Sequence, residues 1–366
     1  MDSRFGVVVT AAGSAPPAAA PLQVRPMRAT DEDVRQLRDC FAANGSSKDL
    51  EALRWQYLRL PVEGTFVDFA LDGDAVAGVH AVVPVPVRIG GAVRRAGQTL
   101  DILTDARFRG RGVFVRLGDS VHARCADEGL AFVYGFPNGN SAHGFFTRQQ
   151  WVRLGLAPFL IRPLRTRYFA SRAPRVGRWL ARLPDLPLPP PREVRADGTI
   201  EPLAAFGPEL DAVWERFAAG IGIAVHRDAA YLRWRFGDKP GERYEARVLR
   251  RDGRAEGLVV WSVKAKHGGR IGYLMELLYD PARPDDGRSL LAHAVRHMAA
   301  AGADAVLAWS LEHAPSHGAF RRTGFVRMPP RLRPIELHFG ARALDPSVPV
   351  ADVRGWYVSY ADSDTV

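Results

Sequence analysis

The sequence predicts an α/β protein of two related domains in tandem, each a mixed central sheet flanked by helices. Three observations carry that reading. The chain has 366 residues, and domains usually run 100–200 residues. An internal repeat spans it: Leu53-Arg54-Trp55-Gln56-Tyr57 returns as Leu232-Arg233-Trp234-Arg235-Phe236, and Ala142-His143-Gly144-Phe145-Phe146 returns as Ser316-His317-Gly318-Ala319-Phe320. The offsets, 179 at the tryptophans and 174 at the histidines, are far too long for a solenoid and mark a duplicated domain. Within each copy, strands come first and helices then alternate with strands, the order of a mixed sheet with helices packed on it.

The first copy spells out the elements. A helix carries the Arg-Trp motif. Extended strands follow over 65–71 and 75–89, with Asp72-Gly73 as a hairpin turn between them. Pro84 and Pro86 favour an edge or a bulge late in the second strand. A third strand spans 97–104. A helix over 113–128 shows an apolar period through Val113, Leu117, Val121 and Cys125, and Gly129 ends it. A buried strand over 130–136, a short helix over 141–150 and extended chain over 152–164 complete the copy. The first domain is placed at 24–165, a connector at 166–199 and a degenerate second domain at 200–366, after an Ala/Pro-rich leader over 1–23 that is expected to be disordered.

Composition excludes several classes. A hydrophobic content of 47% and a charged content of 25% are those of a globular chain. No apolar run approaches the length of a bilayer span. Two cysteines, Cys40 and Cys125, cannot build a disulfide framework or a four-thiolate metal site, which fits a reducing cytoplasm. Net charge is +10. Only four of the 50 basic residues are lysine, leaving 46 arginines, a ratio that speaks for a GC-rich genome as much as for phosphate binding. The stretch 162–195 holds nine arginines against Asp185 and Glu193, a net of +7. Bulk basicity therefore sits in the connector, and no nucleic-acid partner is expected. Ala173, Val176, Leu180 and Leu183 share one helical face there. The favoured reading is a helix packed on the domains with a solvated basic face, and the alternative is a weak membrane-surface contact through 173–183.

The chemistry concentrates in Asp101-Ile102-Leu103-Thr104-Asp105-Ala106-Arg107-Phe108-Arg109-Gly110-Arg111-Gly112-Val113. A strand enters a loop of alternating Arg and Gly, and a helix starts at once. Glycines let backbone N–H groups turn inward, and the helix points its positive end at the same place, so the segment suits a pyrophosphate. Arg109 and Arg111 add charge at the rim. A Walker loop is excluded by the missing Lys-Ser/Thr pair, and the spacing is not that of a dinucleotide-binding fingerprint.

Arg107-x-x-Gly110-x-Gly112 between strand and helix resembles the acyl-CoA loop of the GNAT N-acyltransferase superfamily. Gly135-Phe136-Pro137-Asn138-Gly139-Asn140 through Trp151 resembles that superfamily's next strand and helix. The Arg-Trp motif, this strand end and the Asp362-Ser363-Asp364 tail are similar to bacterial tandem-GNAT proteins. The resemblance implies acyl transfer, most simply of acetyl from acetyl-CoA, to the primary amine of a small polar molecule such as an amino sugar, with no metal. It implies that backbone groups of Leu103 and Thr104 hold the pantetheine arm. Arg107, Arg109, Gly110, Arg111, Gly112 and Val113 would hold the pyrophosphate, and Asn138 and Asn140 would line the same groove. Asp101 would be the base. Period-two alternation puts Asp101, Leu103 and Asp105 on one strand face. The usual tyrosine acid is absent, because its position is Phe146, so Tyr134, His143 or water would have to supply the proton, or the thiolate leaves unprotonated.

The second copy reads differently. Asp280-Pro281-Ala282-Arg283-Pro284-Asp285-Asp286 stands where the loop should be, and its prolines and acids are expected to exclude CoA. Glu276 falls in register with Asp101, as a cleft residue or a relic. Trp55 and Trp234 read as core or interdomain anchors. His293 and His297 lack a third metal ligand. The competing functions are a Fem-like aminoacyl-tRNA-dependent transferase, which also pairs GNAT-like domains, and a non-catalytic acyl-CoA-binding protein.

Overall fold

The computed structural model describes residues 22–170, 185–192, 194, 196–266 and 268–363. The leader up to residue 21 and the basic helix expected over 173–183 lie outside the described residues. The chain forms two mixed sheets, one of eight strands and one of seven.

The first sheet grows from two hairpins. β1 (Gln23–Pro26) is followed by α1 (Asp31–Ala43), α2 (Leu50–Leu58), β2 (Phe66–Asp72), β3 (Ala75–Ile89) and β4 (Ala92–Thr104). Strand β4 starts five residues before the expected 97, because Gly90-Gly91 form a two-residue turn between Ile89 and Ala92, with φ of 55° and 94°. Pro84 and Pro86 obey the edge rule locally. β2 pairs with β3 only as far as Phe66 opposite Val82, so beyond that point β3 has β4 alone beside it. Further along, β9 (Ile223–Val225) of the second half pairs with Val87–Ile89. α3 (Val113–Asp127), β5 (Phe132–Gly135), α4 (Gly139–Arg148) and β6 (Val152–Leu156) complete the first half, with β4 and β5 parallel.

The second half repeats the order. β7 (Phe159–Pro163) leads through the connector to β8 (Thr199–Pro202), α5 (Glu209–Phe217), β9 and α6 (Ala229–Leu232). Then come β10 (Glu245–Arg251), β11 (Arg254–Lys266), β12 (Gly269–Tyr279), α7 (Pro284–Ala300), β13 (Ala305–Trp309), α8 (His317–Arg322), β14 (Val326–Arg327) and β15 (His338–Ala343). Here β12 and β13 are the parallel pair.

The sheets do not follow the division of the chain at 165/166. Strand β7 lies in the second sheet between β13 and β14, with Phe159 opposite Trp309. Strand β15 lies in the first sheet between β5 and β6, with Gly340 opposite Gly135. Each half therefore completes the other's sheet by giving up one strand.

A local two-fold relation joins the halves at the repeated motif. The Trp55 and Trp234 rings stack at 4.6 Å and 17°. The Trp55 Nε1–H donates to Trp234 O at 2.9 Å, and the Trp234 Nε1–H reaches Trp55 O at 3.5 Å. Both are buried, as an interdomain anchor requires. The second copy departs from the first in its helix, which widens into a π-turn over Arg233–Gly237 with Asp238 N–H on Arg233 O at 2.8 Å. Truncating Trp55 removes a buried ring and strands the Trp234 carbonyl. Trp55→Ala is expected to lower stability by about 3–5 kcal/mol in urea unfolding, whereas an anchor of no consequence would leave the midpoint unmoved.

Candidate functional site

The site begins where two parallel strands part. β4 and β5 pair only from Gly97–Val133 to Thr99–Gly135. Beyond Thr99, β4 continues to Thr104 while β5 ends and the chain turns into α4. A bulge marks the parting: Ala81 faces Leu100 and Val79 faces Leu103, so Asp101 and Ile102 share the place of one residue. Asp101 takes φ of 49°, a left-handed conformation that a non-glycine residue adopts at a cost. The result is a cleft of about 900 Å³ with Leu100–Thr104 on one wall and Gly135–Asn138 on the other. Phe114, Phe145 and Trp151 form its apolar floor. Past Thr99, the β4 edge facing the cleft has lost its strand partner, so its peptide groups are offered to whatever lies there.

The loop at the mouth is built as the sequence suggests. Asp105 caps a single 3₁₀ turn over Ala106–Phe108, accepting Arg107 N–H at 2.9 Å. Gly110 and Gly112 follow with φ of 79° and 74°, and a Cβ at either would meet open space. These positions need glycine for their backbone angle, not for room. Gly112 caps α3 without a side chain, and the first helical bond runs from Arg116 N–H to Gly112 O at 3.1 Å. The amides of Val113, Phe114 and Val115 therefore precede the helix ladder. The amides of Arg109 and Arg111 bend back onto Ala106 O and Phe108 O, at 3.5 and 3.4 Å. This leaves the amides of Gly110, Gly112 and Val113 outside the loop's backbone bonds. Of the three arginine side chains, Arg109 lines the cleft. Arg111 reaches Asp72 at 3.4 Å and lies over Phe108. Arg107 pairs with Asp105 at 2.8 Å and lines a separate hollow beside α1. Its hydrogen bonds hold the Asp105 carboxyl well below the usual carboxylate range.

Asp101 sits at the junction of cleft and core, with its side chain 6% exposed. Three donors converge on it: Lys48 Nζ on one oxygen, and Tyr57 OH at 2.8 Å and Gln56 Nε2 at 3.0 Å on the other. Gln56 and Tyr57 directly follow Trp55, so the helix that anchors the interface also delivers donors to the cleft. Lys48 lines the cleft itself and lies 4.9 Å from the Phe41 ring centroid. Sequence reasoning gave none of these three a role. The available signal was Lys48, a lysine kept in a chain that uses arginine almost everywhere.

The acetyltransferase (GNAT) domain family matches residues 23–152, the segment that holds the β4 edge, the glycine loop and α4. The chain resembles a probable N-acyltransferase of Enterococcus faecalis V583 (TM-score 0.60, 14% identity, 91% of this chain and 74% of that one). It also resembles a GCN5-related N-acetyltransferase of Anabaena variabilis (0.60, 12%, 88% and 73%). A Saccharomyces cerevisiae N-myristoyltransferase with bound myristoyl-CoA is similar at TM-score 0.58 and 11% identity, over 90% of this chain and 84% of that one. No curated protein matches by sequence.

The cleft gathers some of the expected residues and not others: Arg107, Gly110, Arg111, Gly112 and Val113 do not line it. Asp101, Leu103, Thr104, Arg109, Asn138 and Asn140 line it. Asn138 also caps α4, its Oδ1 accepting the amides of Asn140 and Ser141 at 3.0 and 3.3 Å. Strict alternation along β4 fails. Asp101 and Leu103 line the cleft on either side of the bulge, whereas β4 ends at Thr104 and Asp105 turns away to Arg107 and Asn44. Tyr134 does not line the cleft. It is buried among Phe132, Phe136 and Trp356, and burial pushes its hydroxyl well above the usual phenol range. His143 is exposed on α4 and does not line the cleft either. Phe146 packs on Gly340 and His338. Among the described residues, no group of three or more His, Cys, Asp or Glu is placed to hold a metal ion.

The second copy is closed. Asp285 and Asp286 occupy the first turn of α7, and Asp286 is held by Arg251 at 3.0 and 3.1 Å. The helix thus satisfies its own positive end. The tail fills the place where β12 and β13 part: Tyr360 stacks on Trp309 at 4.8 Å and meets Tyr273 edge-on at 5.6 Å. Glu276 is fully buried and lines no described cleft. It accepts from Arg227 at 3.0 Å, Ser359 at 2.8 Å and Tyr357 at 2.5 Å. Arg227 also reaches Asp362 at 2.6 Å, so Glu276 anchors the tail.

Behind the aromatic floor of the first cleft lie His80 and His122, with ring centroids 5.4 Å apart. Neither His80 nitrogen has a hydrogen-bond partner. Burial pushes His80 down to about 3 and His122 down to about 2, from about 6.5 in an unfolded chain. The unfolded state then binds more protons below pH 6.5, so stability is full above that pH and falls as pH drops toward 3. Removing one titrating ring should weaken that dependence. His80→Leu is expected to flatten the plot of unfolding free energy against pH between about 6.5 and 4; a slope identical to that of the parent would contradict it.

Proposed function

We propose that this chain is an acyl-CoA-dependent N-acyltransferase, in the simplest case an acetyltransferase, acting on the primary amine of a small polar molecule such as an amino sugar. One observation carries the reading. The open β4 edge, Arg109 of the glycine loop and Phe114 in the first turn of α3 line one cleft. The donor's parts follow in order: the glycine loop and the uncapped α3 N-terminus at the mouth suit a pyrophosphate, and the Leu103–Thr104 edge suits an amide-bearing arm. The activated thioester would supply the acyl group. The tail that fills the matching place in the second copy supports one donor site per chain.

The residues around Asp101 account for the proton chemistry. An amine must lose a proton to attack, and Asp101 is the carboxylate at the cleft wall that can take it, directly or through water. Gln56 and Tyr57 fix its orientation. Lys48 holds the other oxygen and is a cation on the cleft wall. It can donate to the leaving thiolate in place of the tyrosine that Phe146 replaces. A thiol near pKa 8.5 also leaves as the anion at modest cost. A tRNA-linked donor has no pyrophosphate to seat in the loop, which weighs against the Fem-like alternative. The non-catalytic alternative draws on Phe146 and on the full set of donors around Asp101.

Titration calorimetry with acetyl-CoA and a thiol-release assay across an amine panel test the proposal. The parent chain should bind acetyl-CoA, and Gly112→Asp should lose at least about tenfold in affinity by adding a charge and straining the turn. Asp101→Asn should retain binding and lower kcat by about 10²-fold or more. Absence of binding would sink the acyl-CoA reading, and binding without turnover on any amine would favour the non-catalytic one.

A further inference from the structure

We propose that a second hollow, between the β6–β7 hairpin and the chain from Ser310 to Arg333, takes the headgroup phosphate of an anionic lipid and docks the protein on an anionic membrane surface. The hollow has a volume of about 920 Å³ and shares no lining residue with the acyl-CoA cleft. Its walls mix apolar side chains such as Leu154, Phe159 and Phe325 with polar ones, His313 and His317 among them, and Arg321, Arg327 and Arg333 line it. Arg327 engages Glu312, the one acid in the lining, at 3.5 Å.

Arg333 is the most telling of these. Its guanidinium lies over the Phe159 ring at 5.6 Å, and its Nε–H donates to Met328 O at 3.3 Å. Its Nη1 is buried with no hydrogen-bond partner. A buried N–H on a charged fork is costly to leave without an acceptor, and the Arg333 side chain stands in the lining, where an oxyanion would meet it.

The rim shows what carries that anion. Seven large apolar side chains are exposed among the described residues; Val326 at 58% and Leu156 at 37% line this hollow, and Val152, Leu332 and Ile335 stand within two residues of its lining along the chain. They lie on β6, on β14 and on the connector to β15. Two bonds of 2.9 Å, Met328 N–H to Phe159 O and Ala157 N–H to Leu337 O, hold that connector along the hairpin. From Ser310 to Leu337 there are five arginines and two glutamates. Apolar side chains standing out among arginines, around one anion-seeking hollow, match a lipid interface. A soluble anion would use the arginines and leave the apolar rim without a function.

The test is co-sedimentation of the full chain with neutral phosphatidylcholine vesicles and with vesicles in which roughly a third of the lipid is phosphatidylglycerol. Binding is expected to the anionic vesicles and not to the neutral ones. An arginine near such a surface is worth about fivefold in binding, so Arg327→Glu combined with Arg333→Glu should reduce it more than tenfold. Val326→Asp, on an exposed edge where folding is not at stake, should reduce it as well. Acetyl-CoA affinity should be unchanged in both variants. Equal binding to both vesicle types would overturn the proposal. So would undiminished binding by both variants, which would assign the attraction elsewhere in the chain. Saturable binding of octyl phosphate below its micellar concentration, with no vesicle binding, would overturn it in favour of a soluble anion.

Discussion

The reciprocal exchange of β7 and β15 is the constraint on which the rest of the structure depends. A strand at a sheet edge leaves a row of peptide groups without partners. Here each half lacks an inner strand, and only the other half supplies it. β6 would have no contact with β5 without β15 between them. The same exchange sets the acyl-CoA cleft. β15 pairs with β5 up to Gly135, His338 N–H donates to Pro137 O, and Asn138 bridges to Leu337. The wall of a cleft encoded almost entirely by the first half is therefore held in place by the second.

That dependence explains why a copy without a usable loop is still needed. Its cleft is filled by the chain's own tail, and the filling sets two buried arginines against two buried carboxylates. Arg227 and Arg235, both buried, face Glu276, Asp362 and the carbonyls of Ala361 and Ser363. Burial raises the pKa of Asp362, while Arg227 opposes that shift. Breaking such a cluster on one side leaves an uncompensated charge, which is far worse than never having built it. The tail also touches the first sheet, where Gln98 of β4 donates to Asp362 O at 2.5 Å. Closing one cleft thus braces the strand that forms the other.

Much of this was legible in the residues, because the signals were local. The duplication, the hairpins, α3 and the glycine loop follow from turn chemistry, periodicity and helix polarity, all of which act within a few residues. What was not legible is non-local. Strand exchange leaves the order of elements unchanged and alters only the partner, so no periodicity reports it. Strand β4 ends at Thr104, so Asp105 leaves the cleft to cap the next turn, which alternation cannot show. Tyr134 looked like an available acid because its strand ends at the cleft, yet its side chain enters the interdomain core. Lys48, Gln56 and Tyr57 reach Asp101 across 44 to 53 residues of sequence.

The Arg-Trp motif shows how a duplicated segment can keep one task and divide another. Both tryptophans serve the same interface, each capping the other's backbone. The next residue has diverged. In the first copy Gln56 turns to Asp101 at the wall of an open cleft. In the second copy Arg235 turns to the carbonyls of Ala361 and Ser363, at 2.9 Å each, and holds the tail that closes the other cleft. A neutral amide leaves a carboxylate accessible, whereas a buried guanidinium must be fully satisfied, and the tail supplies its acceptors. The wide turn over Arg233–Gly237 accompanies this change of partner. One step after a shared tryptophan, the choice between glutamine and arginine separates the half that keeps its cleft open from the half that braces it.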